Sequence, residues 1–159
     1  MMHRIESEAA RAAPMAAVAR MRRPIAVVDD DADDRQALKR ELQFLLGDLP
    51  VLPFHSGDAL INFLQEHGNQ SEKPGLILLD LRMAGIGGLR TLKYLHSHIA
   101  LSDIPVMVIS GSRDMLEISH ALQYGARAVL QKPLSRYEFI KALQSLTPGD
   151  EETPPDQAE

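Results

Sequence analysis

Two rhythms of apolar residues alternate along the chain. Short unbroken runs occur at Ile25-Ala26-Val27-Val28, Val51 to Phe54, Leu76-Ile77-Leu78-Leu79, Ile104 to Ile109 and Ala128-Val129-Leu130. After each run, apolar residues recur every three or four positions. The repeats are Leu38, Leu42, Leu45 and Leu46; Leu60, Ile61 and Leu64; Leu89, Leu92, Leu95 and Ile99; Met115, Ile118 and Leu122; and Phe139, Ile140, Leu143 and Leu146. A continuous run reads as a strand covered on both faces, and the three-to-four repeat reads as one buried stripe of a helix. Strand and helix therefore alternate five times. That pattern predicts an α/β fold: a parallel sheet with right-handed crossovers and helices on both faces.

Local punctuation supports these elements. Asp31 is placed to cap the first helix, with Asp34 three residues on, and Gly47 to close it. Pro53 interrupts the second run and marks it as an edge strand. Ser56 or Gly57 opens the second helix, which ends near Gly68, and Gly125 closes the fourth.

The chain has 159 residues and no cysteine, so disulfides and thiolate chemistry are excluded. No apolar run is long enough for a membrane span, and a cytoplasmic location is the expectation. The net charge of −5 is unevenly spread. Residues 1–23 carry five arginines against two glutamates, with Pro14 between them, and read as a disordered or weakly helical extension. Residues 148–159 hold five acids and Pro154-Pro155 and read as a solvated acidic tail. The domain is then 24–147. It is mildly acidic without a basic cluster, which argues against nucleic-acid binding.

Candidate chemistry lies where the strands stop. Asp29 and Asp30 follow the first strand, Asp80 ends the third, Ser110 the fourth, and Lys132 follows the fifth. Singly these are a helix cap, a loop acid, a turn serine and a solvated lysine. A parallel sheet puts all strand carboxyl ends on one edge, so together they define a crevice. Clustered carboxylates repel and are pushed toward protonation, a cost that a hard divalent cation relieves; Mg²⁺ suits one or two carboxylates with waters and phosphate oxygens. Asp80 is then the candidate nucleophile toward a phosphoryl group, with Ser110 and Lys132 as phosphoryl-oxygen partners.

The set Val27-Val28-Asp29-Asp30, Leu78 to Gly85, Val108-Ile109-Ser110-Gly111 and Lys132-Pro133 resembles the receiver domain of two-component response regulators, most like the stand-alone chemotaxis-regulator type. The resemblance spans about Pro24 to Leu146. It implies a flavodoxin-like, doubly wound five-stranded sheet of order 2-1-3-4-5 with five helices. It implies Asp80 as phosphoacceptor and Asp30 as a direct Mg²⁺ ligand, with Asp29 acting through water. It also implies the Arg82 backbone carbonyl as a further metal ligand, Ser110 as the switch hydroxyl, Lys132 as the phosphate-sensing cation, and a cis bond at Lys132–Pro133. Two positions depart from the family: Ala84 stands where proline is common, and Val129 where an aromatic switch residue is often found.

The implied function is that of a single-domain response regulator, a monomer or weak homodimer and not an enzyme. It takes its phosphoryl group from a histidine kinase or phosphotransfer protein. Its output is a protein contact on the face of the fourth helix, fifth strand and fifth helix, with Arg113, Glu117, His120, Gln123, Arg136 and Lys141 as candidate contacts. The competing readings are an interaction-only pseudo-receiver and an aspartyl-phosphate phosphatase. Against the phosphatase, Arg82 stands where such enzymes commonly place a second acid.

Overall fold

The computed structural model describes residues 23–67 and 73–146. Its strands are β1 (Ile25–Val28), β2 (Val51–Phe54), β3 (Leu76–Asp80), β4 (Val106–Ser110) and β5 (Ala128–Gln131). The helices are α1 (Ala32–Leu46), α2 (Gly57–His67), α3 (Gly87–Ser97), α4 (Met115–Gln123) and α5 (Arg136–Gln144). All strand pairings are parallel, and the sheet order is β2-β1-β3-β4-β5.

Successive strand residues point to opposite faces, and this divides the core in two. Ala26, Val28, Ile77, Leu79, Val106 and Val108 face α2, α3 and α4 through Leu60, Leu64, Leu92, Leu95 and Ala121. Ile25, Val27, Leu76, Leu78, Met107 and Ile109 face α1 and α5 through Leu38, Leu42, Leu45, Phe139 and Leu143. Each fully buried aliphatic side chain is worth roughly 1.5–3 kcal/mol, so β1, β3 and β4 are the firmest part of the fold.

The chain order reverses between β1 and β3, so their carboxyl ends flank the crevice where open α/β sheets bind ligands. Val28 pairs with Leu79, Asp80 with Ile109, and Ser110 with Gln131. This register brings the residues that follow β1 beside Asp80, and Ser110 and Lys132 to the same edge.

Several local expectations hold. Asp31 caps α1 by accepting from the Asp33 and Asp34 amides. Gly47 closes that helix at φ 73°, donating to the Gln43 carbonyl. β2 lies at the sheet edge, where Pro53 costs no ladder bond on its outer side. Lys132–Pro133 is cis.

Others need correction. α3 stops at Ser97 because His98 turns to extended backbone, and Ile99, expected on its apolar face, is 94% exposed. Leu101 and Ile104 fill that part of the core from the loop, and β4 begins only at Val106. The expected α4 face also fails: Met115 and Leu122 are exposed, Ile118 is half-buried, and Ala121 is the helix's one buried residue. Leu146 lies past the end of α5, half-buried. The expected terminal segments fall outside the described residues, apart from Arg23, as does Gly68. No helix among the described residues is long and apolar enough to cross a membrane.

Gly88 sets the distance between α3 and the end of β3. Its amide donates to the Leu81 carbonyl at 3.1 Å, and a Cβ there would collide with the backbone of Asp80 and Leu81. Backbone cannot yield as a side-chain tip can. Gly88→Ala is expected to destabilise the domain by about 1–3 kcal/mol, read from urea denaturation. An unchanged midpoint would show that α3 shifts freely away from the strand.

Candidate functional site

β1 delivers two carboxylates in different settings. Asp29 is fully buried: its amide donates to the Phe54 carbonyl at 3.1 Å, and its Oδ1 accepts from the Asp31 amide at 2.9 Å. Arg35, on the first turns of α1, donates to the Asp29 carbonyl at 2.6 Å. Asp30 is exposed, and its Oδ2 accepts from the Ala84 amide at 3.1 Å, tying the loop after β1 to the loop after β3.

Asp80 is 6% exposed, and its Oδ1 accepts from the Arg82 amide at 3.2 Å. One carboxylate oxygen each from Asp29, Asp30 and Asp80 lie within 4.8 Å of one another. Lys132 reaches in from the end of β5. Its Nζ donates to Asp29 Oδ2 at 2.7 Å, Asp34 Oδ2 at 2.8 Å and Asp80 Oδ2 at 3.3 Å.

Ser110 is 1% exposed, and its hydroxyl accepts from the Ser112 amide at 3.1 Å. Ser112 Oγ accepts in turn from the Asp114 amide, and Asp114 caps α4 by accepting from the Leu116 amide. A run of short polar links thus joins Ser110 to the start of α4. The Gln131 side chain braces the same loop: it donates to the Ser112 carbonyl at 3.1 Å and accepts from Arg113 Nε at 3.0 Å.

Burial is the main cause that pushes the Asp80 carboxyl up to about 6, and the neighbouring Asp29 charge adds to it. The Arg82 amide and Lys132 oppose that rise without cancelling it. For Lys132, burial disfavours the charged form. Hydrogen bonds to Asp29 and Asp34, with the charges of Asp80 and Asp29, outweigh it and hold the ammonium above its ordinary range. Lys132 is therefore a fixed cation, while Asp80 is an acid on the edge of ionisation.

The structure brings Asp29, Asp30, Asp80 and Lys132 into one cluster and sets Ser110 beside Lys132, whose amide donates to the Ser110 carbonyl at 2.9 Å. The Arg82 side chain is largely exposed and reaches away toward α4, its Nη2 3.7 Å from Glu117 Oε2. That Glu117 oxygen is buried and has no hydrogen bond. Val129 is half-buried against the core on the α2–α4 side. Of the residues expected on an output face, Arg113, Gln123 and Lys141 are exposed, while Glu117 and His120 are half-buried. Arg136 turns the other way. It pairs with Glu41 on α1 at 2.8 Å and lies over the Phe44 ring, so it belongs to the α1–α5 seam. Sequence reasoning treated Asp34 as a helix-start acid only, and missed Arg35, Gln131 and Glu117 as supports of the site. The five-residue step from Asp29 to Asp34, across a helix cap, is the one sequence signal that could have flagged Asp34.

The raised Asp80 value makes a signed prediction. In the unfolded chain this acid titrates near its ordinary value, so ionising it costs the folded state as pH rises from about 4 to about 6. Without divalent metal, Asp80→Asn is expected to be more stable than wild type at pH 7 by about 1–3 kcal/mol. The gain should vanish below pH 4, where Asp80 is protonated in both states. Urea unfolding at the two pH values reads the difference, and an equal gain at both would remove ionisation as its cause.

Comparison with known proteins agrees with this geometry. The chain is similar, at 33% identity, to the C4-dicarboxylate transport transcriptional regulatory protein DctD of Pseudomonas aeruginosa, over 76% of this chain and 24% of that protein. The chain spans between about a quarter and a half of the length of such curated relatives. Among solved structures, the Mn(2+)-bound form of response regulator Rcp1 is similar at 26% identity and a TM-score of 0.63, covering 81% of this chain and 94% of that one. The bacteriophytochrome response regulator AtBRR has the same identity and a TM-score of 0.69, covering 78% and 91%. The response regulator receiver domain family matches residues 25–144, and the chain, with its acid cluster and lysine at the switch point of a 2-1-3-4-5 sheet, belongs to that family.

Proposed function

We propose that Asp80 accepts a phosphoryl group in a Mg²⁺-dependent reaction and that the domain passes this signal on through protein contacts. The observation that carries the reading is the cluster itself: three carboxylates within 4.8 Å of one another, with a charged lysine on two of them. The donor set suits a hard cation. Three carboxylate oxygens this close, two of them from buried side chains, would be drawn together by one small dication. Asp29, Asp30, Asp80 and the Arg82 backbone carbonyl would hold it. Bound there, the ion supplies charge neutralisation for an incoming phosphoryl group.

The chain's own residues do the rest. Asp80 supplies the attacking oxygen. Its side chain is held from two sides, by the Arg82 amide at Oδ1 and Lys132 at Oδ2, so attack needs little further ordering. Lys132 remains protonated and pairs with a phosphoryl oxygen. The Ser110 hydroxyl, now an acceptor from the Ser112 amide, turns to donate to another oxygen. That turn gives up the Ser112 link and so frees the loop that leads to the cap of α4. The phosphoryl source is a histidine kinase or phosphotransfer protein, and the output surface is the α4–β5–α5 face. The domain acts as a phosphoacceptor and not as a turnover enzyme.

The test combines a small phosphodonor, Mg²⁺ and Asp80→Asn. Wild type is expected to gain one phosphate labile to base and to hydroxylamine, lost in Asp80→Asn and on chelation of the metal. Asp30→Asn should weaken Mg²⁺ binding about tenfold or more, since one of three carboxylates is removed. Wild type that takes no phosphate while still binding a partner equally well with and without beryllofluoride would instead favour a docking module.

A further inference from the structure

Lys132 has no hydrogen to spare. An ammonium carries three hydrogens, and its three partners are Asp29 at 2.7 Å, Asp34 at 2.8 Å and Asp80 at 3.3 Å. A phosphoryl oxygen on Asp80 needs one of these hydrogens, so one partner must leave. Asp29 is fully buried, makes the shortest of the three contacts and is anchored by the Asp31 amide, so it has no room to swing away. Asp80 carries the phosphoryl group itself. The Asp34 side chain is 47% exposed and stands outside the three-acid cluster. It borders a groove of about 450 Å³ between α1 and the segment Lys132-Pro133-Leu134. A carboxylate that swings there meets water, and the amino end of α1 still favours its charge. Asp34 is the most exposed of the three partners, so the Lys132–Asp34 pair costs least to open.

We propose that Asp34 is the resting partner of Lys132, which an incoming phosphoryl anion displaces, so that Asp34 sets how readily Asp80 is phosphorylated. This rests on Asp80 as the phosphoacceptor. In the step, an Asp80 oxygen bonds to phosphorus as the donor's bond to phosphorus breaks, and the leaving group keeps that electron pair. Lys132 loses no proton. One N–H turns from Asp34 to a phosphoryl oxygen, and the exchange is of one anion for another. Asp34 is a positioning residue: it acts through Lys132.

The experiment uses the full chain with acetyl phosphate and Mg²⁺, comparing Asp34→Asn, Asp34→Glu and Asp33→Asn. Asp33 is an exposed acid on the same helical turn, so its variant reports the general effect of removing one negative charge near the site. Asp34→Asn is expected to raise the phosphorylation efficiency about three- to tenfold, mainly through a lower apparent KM. Asp33→Asn should stay within about twofold of wild type, and Asp34→Glu should restore the wild-type rate. The Lys132 ¹⁵Nζ resonance gives a readout that a purely structural role would not move. In unmodified Asp34→Asn it should shift toward its position in wild type bound to beryllofluoride. Asp34→Ser, which keeps a good helix-start residue, replaces Asp34→Asn if that variant unfolds. Equal gains in Asp34→Asn and Asp33→Asn, or an unmoved Lys132 signal, would overturn the role of Asp34 alone. Wild type that takes no phosphate and shows no Lys132 response to beryllofluoride would overturn the phosphoacceptor reading as well.

Discussion

Mutual repulsion among carboxylates at the sheet's switch point is the constraint that the site is built to manage. Asp29 and Asp80 are almost wholly buried, and neither charge has bulk water to spread into. Each answer to that cost is a different physical device. Backbone amides of Asp31 and Arg82 donate hydrogen bonds to the carboxylates, Lys132 bridges both acids, and burial raises the Asp80 carboxyl to about 6. The hydrophobic sheet beneath supplies the force that keeps the acids together. It buries β1, β3 and β4 on both faces and gives their ends no freedom to separate.

Much of this was legible in the chain before any coordinates. Apolar runs followed by three-to-four repeats fix strand–helix alternation, and a parallel sheet then dictates which residues share an edge. Asp29, Asp30, Asp80, Ser110 and Lys132 were found by that topological argument. The α3 and α4 details were not. Ile99 and Leu122 keep helical spacing, yet spacing cannot say where backbone leaves the helix or whether a small residue such as Ala121 makes the contact instead. Arg136 was misplaced for a related reason. A long side chain chooses between two seams by what it meets, and Glu41 and Phe44 are distant in sequence.

The side chains that support the site were the least legible. Asp34, Gln131 and Glu117 have good local roles in helix starts and strand ends, and those ordinary roles hide the tertiary ones. Their contacts share one property: each joins an element carrying a reactive group to a neighbour that does not. Lys132 meets α1 through Asp34, β5 meets the loop before α4 through Gln131, and the loop after β3 meets α4 through Glu117. Val129 packs against the core among aliphatic neighbours, so the links just named, from the crevice to the outer helices, are polar ones.

The thin anchoring of α4 bears on how such a link can be heard. Where α1 sinks three leucines into its core, α4 fully buries one alanine, and Met115, Leu116 and Leu122 stand in solvent. Sliding this helix would open little apolar surface to water and leave both halves of the core sealed. A push of one or two hydrogen bonds is then commensurate with the resistance it meets. The fold sets a stiff, water-excluding platform against a lightly seated panel, so a change of charge at the platform can become a change of shape at the panel without any loss of overall folding.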